Sequence, residues 1–262
     1  MIKNNKKIYS ILFIVILIVF ISGCNKEENP IDAKLKQAHE KIKSGKVITG
    51  KTMIDQLIKS NPRKTDIYYS AMAIYAKEGI YKDAAEMGRI LIEKNKLGEL
   101  DRKLDLEEIA KLHIDVGIFY QESGDLHLAE KKFIDALALS PDSPELMNAL
   151  GWFYADNDIK LDEALKLTQR AAKIKPKAGH IIDSLGWTYY KLGKYDDALK
   201  TMQKAVILSP DHAELRYHLG AVYVALNKNK NAEIELRKAL FLDKNLIKAK
   251  ELLHEIKKSP KE

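Results

Sequence analysis

A single cysteine, Cys24, stands among 262 residues. The chain can therefore form no internal disulfide, and a cysteine-built zinc or iron–sulfur site is excluded within one chain. Proline and glycine are sparse, 7 and 13 residues. That excludes collagen-like and Pro/Gly-rich low-complexity designs and argues against a turn-rich all-β protein. The motifs HExxH, GxSxG and GxGxxG are missing, which removes the commonest zinc-protease, hydrolase and dinucleotide signatures. What is present is a core-forming composition, 46% hydrophobic and 31% charged. Wholesale disorder is excluded, and the length suits one or two domains.

Residues 1–24 read MIKNNKKIYSILFIVILIVFISGC. Lys3, Lys6 and Lys7 form a basic head, and Ile11 to Ile21 is unbroken apolar sequence. Those residues as a helix reach about 16 Å, short of the ~30 Å hydrocarbon core, so the pattern predicts a signal peptide. Ile21-Ser22-Gly23-Cys24 resembles the lipobox of bacterial lipoproteins. The resemblance implies a signal peptide over 1–23, cleavage after Gly23 and a diacylglycerol thioether on Cys24, with further acylation (palmitate or a similar chain) of the new N-terminus. Each buried CH₂ contributes ~0.8 kcal/mol, so several chains hold a protein firmly to a bilayer. Residues 24–30 then form a short tether. Residue 25 is Asn; the Asp that retains enteric lipoproteins in the inner membrane is absent. The expected location is a lipid-anchored, exported position, at the outer membrane facing the periplasm if the cell is Gram-negative.

The rest repeats with a period near 34. Leu150-Gly151, Leu185-Gly186 and Leu219-Gly220 are each followed by Tyr154, Tyr189 and Tyr223, then by Ala164, Ala198 and Ala232, and by Ala171, Ala205 and Ala239. Val116-Gly117, Tyr120, Ala129, Phe133, Ala136 and Pro141 repeat the series upstream. The pattern resembles the tetratricopeptide repeat (TPR). Four clear units span 110–246, starting at Ala110, Pro144, Gly179 and Ala213, and the second carries one extra residue near Asp158–Lys160. Two degenerate units occupy 31–98, 99–109 is a connecting segment, and 247–262 is a capping helix and tail. The resemblance implies an all-α, right-handed superhelix, an α-solenoid of about six helix-turn-helix repeats, with a concave groove. Small residues let paired helices approach, and the turn glycines Gly79, Gly124 and Gly193 suit a helix end that needs φ > 0. Asp142 and Asp211, after Pro141 and Pro210, offer helix caps.

Gly45 to Thr52 matches the phosphate-loop pattern GxxxxGK[ST]. A nucleotide-binding enzyme is therefore an alternative reading, but that chemistry needs a buried strand before the loop, and the preceding AKLKQAHEKIKS is a charged helical pattern. Gly45 also falls on the TPR turn position. The seven histidines are scattered and read as surface or groove residues. Only His180 and Asp183 share a helix turn, which makes a poor metal site. No catalytic residue, cofactor or metal site is expected, and the protein is read as a non-enzyme.

In TPR proteins the first helix of each unit lines the groove. Carrying those positions over names Asn148, Trp152, Asp183, Trp187, Tyr190 and Tyr217 as the peptide-binding groove. Trp and Tyr suit capture of a peptide or helix because they offer large area with few rotors. The alternative for the tryptophans is packing between units. Ile114, Ile118 and Asp183 stand where a carboxylate clamp needs Lys and Asn, so that mode of binding acidic tails is not expected. Residues 31–64 hold nine Lys/Arg against three Asp/Glu, and 65–143 ten against sixteen. The basic unit follows the lipid anchor and can favour anionic headgroups. The function these features predict is a membrane-anchored scaffold or assembly adaptor of the bacterial cell envelope. Its partners would be other envelope proteins and, through the lipid, the bilayer; no nucleic acid or small-molecule substrate is expected.

Overall fold

Apolar residues recurring every three to four positions, with Gly or Asx punctuating every dozen or so, dictate short helices joined by tight turns. The structure, a computed structural model, describes residues 29–258. Within them it holds thirteen α-helices and no strand. The signal peptide, Cys24, most of the tether and the last four residues lie outside the described residues. The chain divides into two compact units, Met1–Leu139 and Ser140–Glu262.

The first unit contains α1 (Pro30–Lys43), α2 (Val47–Ser60), α3 (Thr65–Lys77), α4 (Tyr81–Leu97), α5 (Leu106–Glu122) and α6 (Leu126–Leu139). α1 packs on α2, α3 on α4, α4 on α5 and α5 on α6. Ala38, Ile54, Tyr68, Tyr75, Leu91, Val116 and Phe119 build its core. Gly45, Gly79 and Gly124 turn the chain between paired helices with φ of 84°, 73° and 87°, which a Cβ would disfavour.

The segment 99–109 is more than a connector. α5 begins at Leu106, four residues before the expected repeat start, with Asp105 and Glu108 forming a capping box. Leu100 and Leu104 are buried. Asp101 folds back on the preceding unit, accepting hydrogen bonds from Thr65 N at 3.0 Å and Thr65 Oγ1 at 2.6 Å. The sequence shows only a break in register here because these contacts lie 36 residues apart.

The second unit contains α7 (Pro144–Asp156), α8 (Leu161–Ile174), α9 (Gly179–Lys191), α10 (Tyr195–Leu208), α11 (Ala213–Ala225), α12 (Asn229–Leu242) and α13 (Ile247–Lys258). α9 meets α7, α8 and α11, while α13 packs on α12 and α11. The odd-numbered helices therefore form one wall and the even-numbered helices the other. Ala164, Ala171, Ala198, Ala205, Ala232 and Ala239 are all fully buried, which lets neighbouring backbones approach. A repeated hydrogen bond marks the register: Gln169 donates to the Tyr189 hydroxyl at 3.2 Å, and Gln203 to that of Tyr223 at 3.1 Å.

The extra residue sits in the α7–α8 turn. Asp158 and Lys160 both adopt left-handed backbone, φ 55° and 46°, and Asn227 does the same at the next-but-one turn. The expected caps differ. Ser143, not Asp142, accepts from Leu146 N at the start of α7, and Asp142 pairs instead with Arg170. Ser143 directly precedes Pro144 and so stands at the cap position, one residue closer than the aspartate. α11 follows His212 with no side-chain cap, so Asp211 does not fill that role either.

Candidate functional site

The repeat length places one residue of each odd-numbered helix beside its counterpart on the next. Asn148, Asp183 and Tyr217 share one row on α7, α9 and α11, and Trp152 and Trp187 share a second. The indoles stack with centroids 6.3 Å apart and planes 26° from parallel. Tyr190, one turn after Trp187, stacks on its ring at 4.7 Å and 13°. Tyr217 reaches the cluster through His218, 5.3 Å away.

His218 is the member the sequence reading missed. It lies 4.5 Å from the Trp187 ring and 5.5 Å from that of Trp152. Its Nδ1 donates to Asp183 Oδ2 at 2.8 Å. The histidine is 1% exposed and the aspartate 4%, so His218 is a core residue and not the surface or groove residue expected. His113, near Asp135, is buried as well. The available signal was spacing: His218 follows Asp183 by one repeat plus one residue, which brings the two side chains together across α9 and α11.

The six groove candidates divide by depth. Trp187 is 6% exposed; it packs between units, the alternative weighed for it. Asn148, Trp152, Tyr190 and Tyr217 are half-buried and reach the surface. Asp183 lies beneath them. Several buried polar atoms here lack a protein partner: Asn148 Oδ1, Asp183 Oδ1, Trp187 Nε1, His218 Nε2 and both ring nitrogens of His212. Buried polar groups are normally hydrogen-bonded, so such a concentration marks a place where a bound group or water would complete the bonding.

The electrostatics follow from burial. Burial pushes the Tyr217 hydroxyl up to about 12, reinforced by Tyr190, Asp156, Glu251 and Glu255. Burial likewise raises the Glu214 carboxyl and lowers the His180 and His212 imidazoles. At the rim Lys191 pairs with Asp158 at 2.7 Å and lies 5.5 Å from the Trp187 ring centroid, while Lys175 pairs with Glu145.

The phosphate-loop match folds as a turn and a helix. α1 precedes it where a strand would be required, and Val47 to Lys51 are already helical. A Cβ on Gly50 would meet the Ala38 carbonyl oxygen at 2.6 Å, so this glycine serves a helix crossing. Lys51 pairs with Asp83, and the Thr52 hydroxyl donates to the Ile48 carbonyl at 2.9 Å. No group of three or more potential metal ligands is assembled among the described residues.

Comparison with known proteins gives a consistent architecture. Models of the tetratricopeptide repeat match residues 119–179 and 213–246, and a TPR-repeat model matches 186–227. A TPR repeat-containing protein of Pseudomonas aeruginosa is 35% identical over 86 residues, covering 30% of this chain and 15% of the relative. The chain thus matches only a small part of that relative's length. Among solved structures, a tetratricopeptide repeat protein from Parabacteroides merdae aligns with a TM-score of 0.66 at 17% identity, covering 87% of this chain and 86% of the other. The APC/C hetero-tetramer Cut9-Hcn1 aligns with a TM-score of 0.58 at 19% identity, covering 86% of this chain and 42% of the other. At these identities the structures speak for the fold alone.

Proposed function

We propose that this chain, which belongs to the tetratricopeptide-repeat family, is a lipid-anchored, non-catalytic adaptor that holds other cell-envelope proteins against the wall formed by α7, α9, α11 and α13. TPR arrays are protein–protein interaction scaffolds. The observation that carries the site is the aromatic cluster of the second unit, whose Trp152, Tyr190 and Tyr217 remain half-exposed. Half-exposed, rotor-poor aromatics beside unpartnered polar atoms are the composition of a protein-binding hot spot. The lipobox at Ile21 to Cys24 supports the anchor, and the envelope location follows from the anchor.

Two experiments test the two parts. A palmitate analogue should label the wild-type protein and not Cys24→Ser, which should accumulate as unprocessed precursor or soluble protein; equal labelling would remove the anchor. A photo-crosslinker placed at Tyr217 should trap an envelope protein in cells. A crosslinker at Lys200, on the opposite wall, should not. Identical adducts from both positions would remove the binding wall.

A further inference from the structure

The wall has a chemical bias that capture of a protein does not by itself require. The Asn148–Asp183–Tyr217 row continues on α13 at Glu251, one repeat after Tyr217, and the tryptophan row continues through the buried Ala221 on α11 to Glu255 on α13, two repeats after Trp187. The charges that face the Tyr217 hydroxyl are carboxylates, Asp156, Glu251 and Glu255. Glu214 lies within electrostatic range of His218 and Lys248 and of the carboxylates Asp183 and Asp243. Lys175 and Lys191 are held by Glu145 and Asp158. Asp183 accepts a hydrogen bond from His218 through Oδ2, and its Oδ1 has no protein partner. The chain as a whole is basic, +7, so this acidity is local. Aromatic faces attract cations, and carboxylates form their strongest hydrogen bonds with guanidinium and ammonium groups.

We propose that the wall binds a basic segment of the partner protein, with an Arg or Lys side chain stacked on the half-exposed rings of Trp152, Tyr190 and Tyr217 and hydrogen-bonded to the carboxylates of α11 and α13. The proposal rests on the capture reading above and gives it a ligand chemistry. Asp183, hydrogen-bonded to His218 below the rings, leaves its second oxygen as an acceptor without a protein partner. A guanidinium suits the site best, because its plane stacks on the rings while its fork reaches the carboxylates.

The test titrates the full-length chain, in detergent, with synthetic peptide pools of about ten residues. The pools are random except for a fixed central Arg, citrulline or Glu. Trp152 and Trp187 are the only tryptophans, so their fluorescence reports the site. The Arg pool should bind about tenfold tighter than the citrulline pool, and about 0.5 M salt should shrink the difference. A Glu251→Gln, Glu255→Gln double variant, altered at exposed positions, should lose about three- to tenfold of that preference with unchanged melting. Equal binding of the Arg and citrulline pools, or preference for the Glu pool, overturns the basic chemistry and leaves capture standing. No fluorescence response to any pool overturns both.

Discussion

Trp152 and Trp187 occupy the same place in neighbouring repeats yet answer to different constraints. Trp187 is enclosed by Trp152, Tyr190 and His218, so Trp187→Ala should remove ~3–5 kcal/mol of stability. Trp152 keeps a face in solvent. Its truncation should cost less stability and weaken partner capture by ~2 kcal/mol, about thirtyfold. Thermal melts beside affinity measurements separate the two; a Trp187→Ala protein that melts like wild type would contradict the packing described. Asp115 on α5 carries a different prediction. It is buried with Oδ1 unpartnered, and burial pushes its carboxyl up to about 7, opposed only weakly by Lys111. The folded chain therefore binds this proton more tightly than the unfolded chain. Its contribution to stability is complete below about pH 4 and is lost as pH rises to about 7. At ~1.36 kcal/mol per unit the upper limit is about 4 kcal/mol. Asp115→Asn should flatten the fall in melting temperature between about pH 4 and 7; an unchanged slope would assign that fall to other groups.

Single helices depend on partners far away in sequence. α3 has no side-chain cap from its own N-cap residue, Lys64. Asp101 supplies one from the connecting segment, and the Thr65 hydroxyl bond holds its carboxyl below the usual range. Asp101→Ala should destabilise the first unit by ~1 kcal/mol, the usual value of a lost cap. With a depressed folded pKa, that contribution is present above about pH 4 and is lost as the carboxylate protonates at lower pH. An Asp101→Ala protein whose melting deficit persists unchanged into acid would point away from the cap. α2 depends on Gly50. Because a Cβ there meets Ala38 backbone as well as Ile42, Gly50→Ala should cost ~1–3 kcal/mol, whereas Lys51→Ala, which removes one half-buried ion pair, should cost about 1 kcal/mol or less. Equal costs would mean that the segment is not a helix crossing.

At the scale of the whole molecule, the repeats within each unit are stabilised by their neighbours, so unfolding propagates through contacts inside a unit. Both tryptophans lie in Ser140–Glu262, and their fluorescence reads that unit alone. Far-UV circular dichroism reads the helices of both units. In urea, Gly50→Leu should lower the dichroism midpoint more than the fluorescence midpoint, since the lesion is in Met1–Leu139. Coincident shifts in both signals would show one cooperative block.

The helical hairpins of 110–246 were legible in the sequence because their cause is local. Ala and Gly at crossings, Gly or Asn in left-handed turns and Pro at helix starts each act within one repeat. The helices of 31–98 left fainter signs of the same kind, at Gly45, Gly79 and Ala84. The row holding Asn148, Asp183 and Tyr217 was legible too, since the repeat register, with its one extra residue near Asp158–Lys160, fixes which residues become neighbours. Depth was not legible. Trp187 and Trp152 share one repeat position, and Trp187 is the buried one because Trp152, Tyr190 and His218 together enclose it. Nor was the role of 99–109, because Asp101 and Leu104 act through partners brought near by folding, Thr65 and Asn95. Local chemistry sets where helices begin, turn and cross, while burial and hydrogen-bond pairing between helices exist only once packing has brought distant segments together.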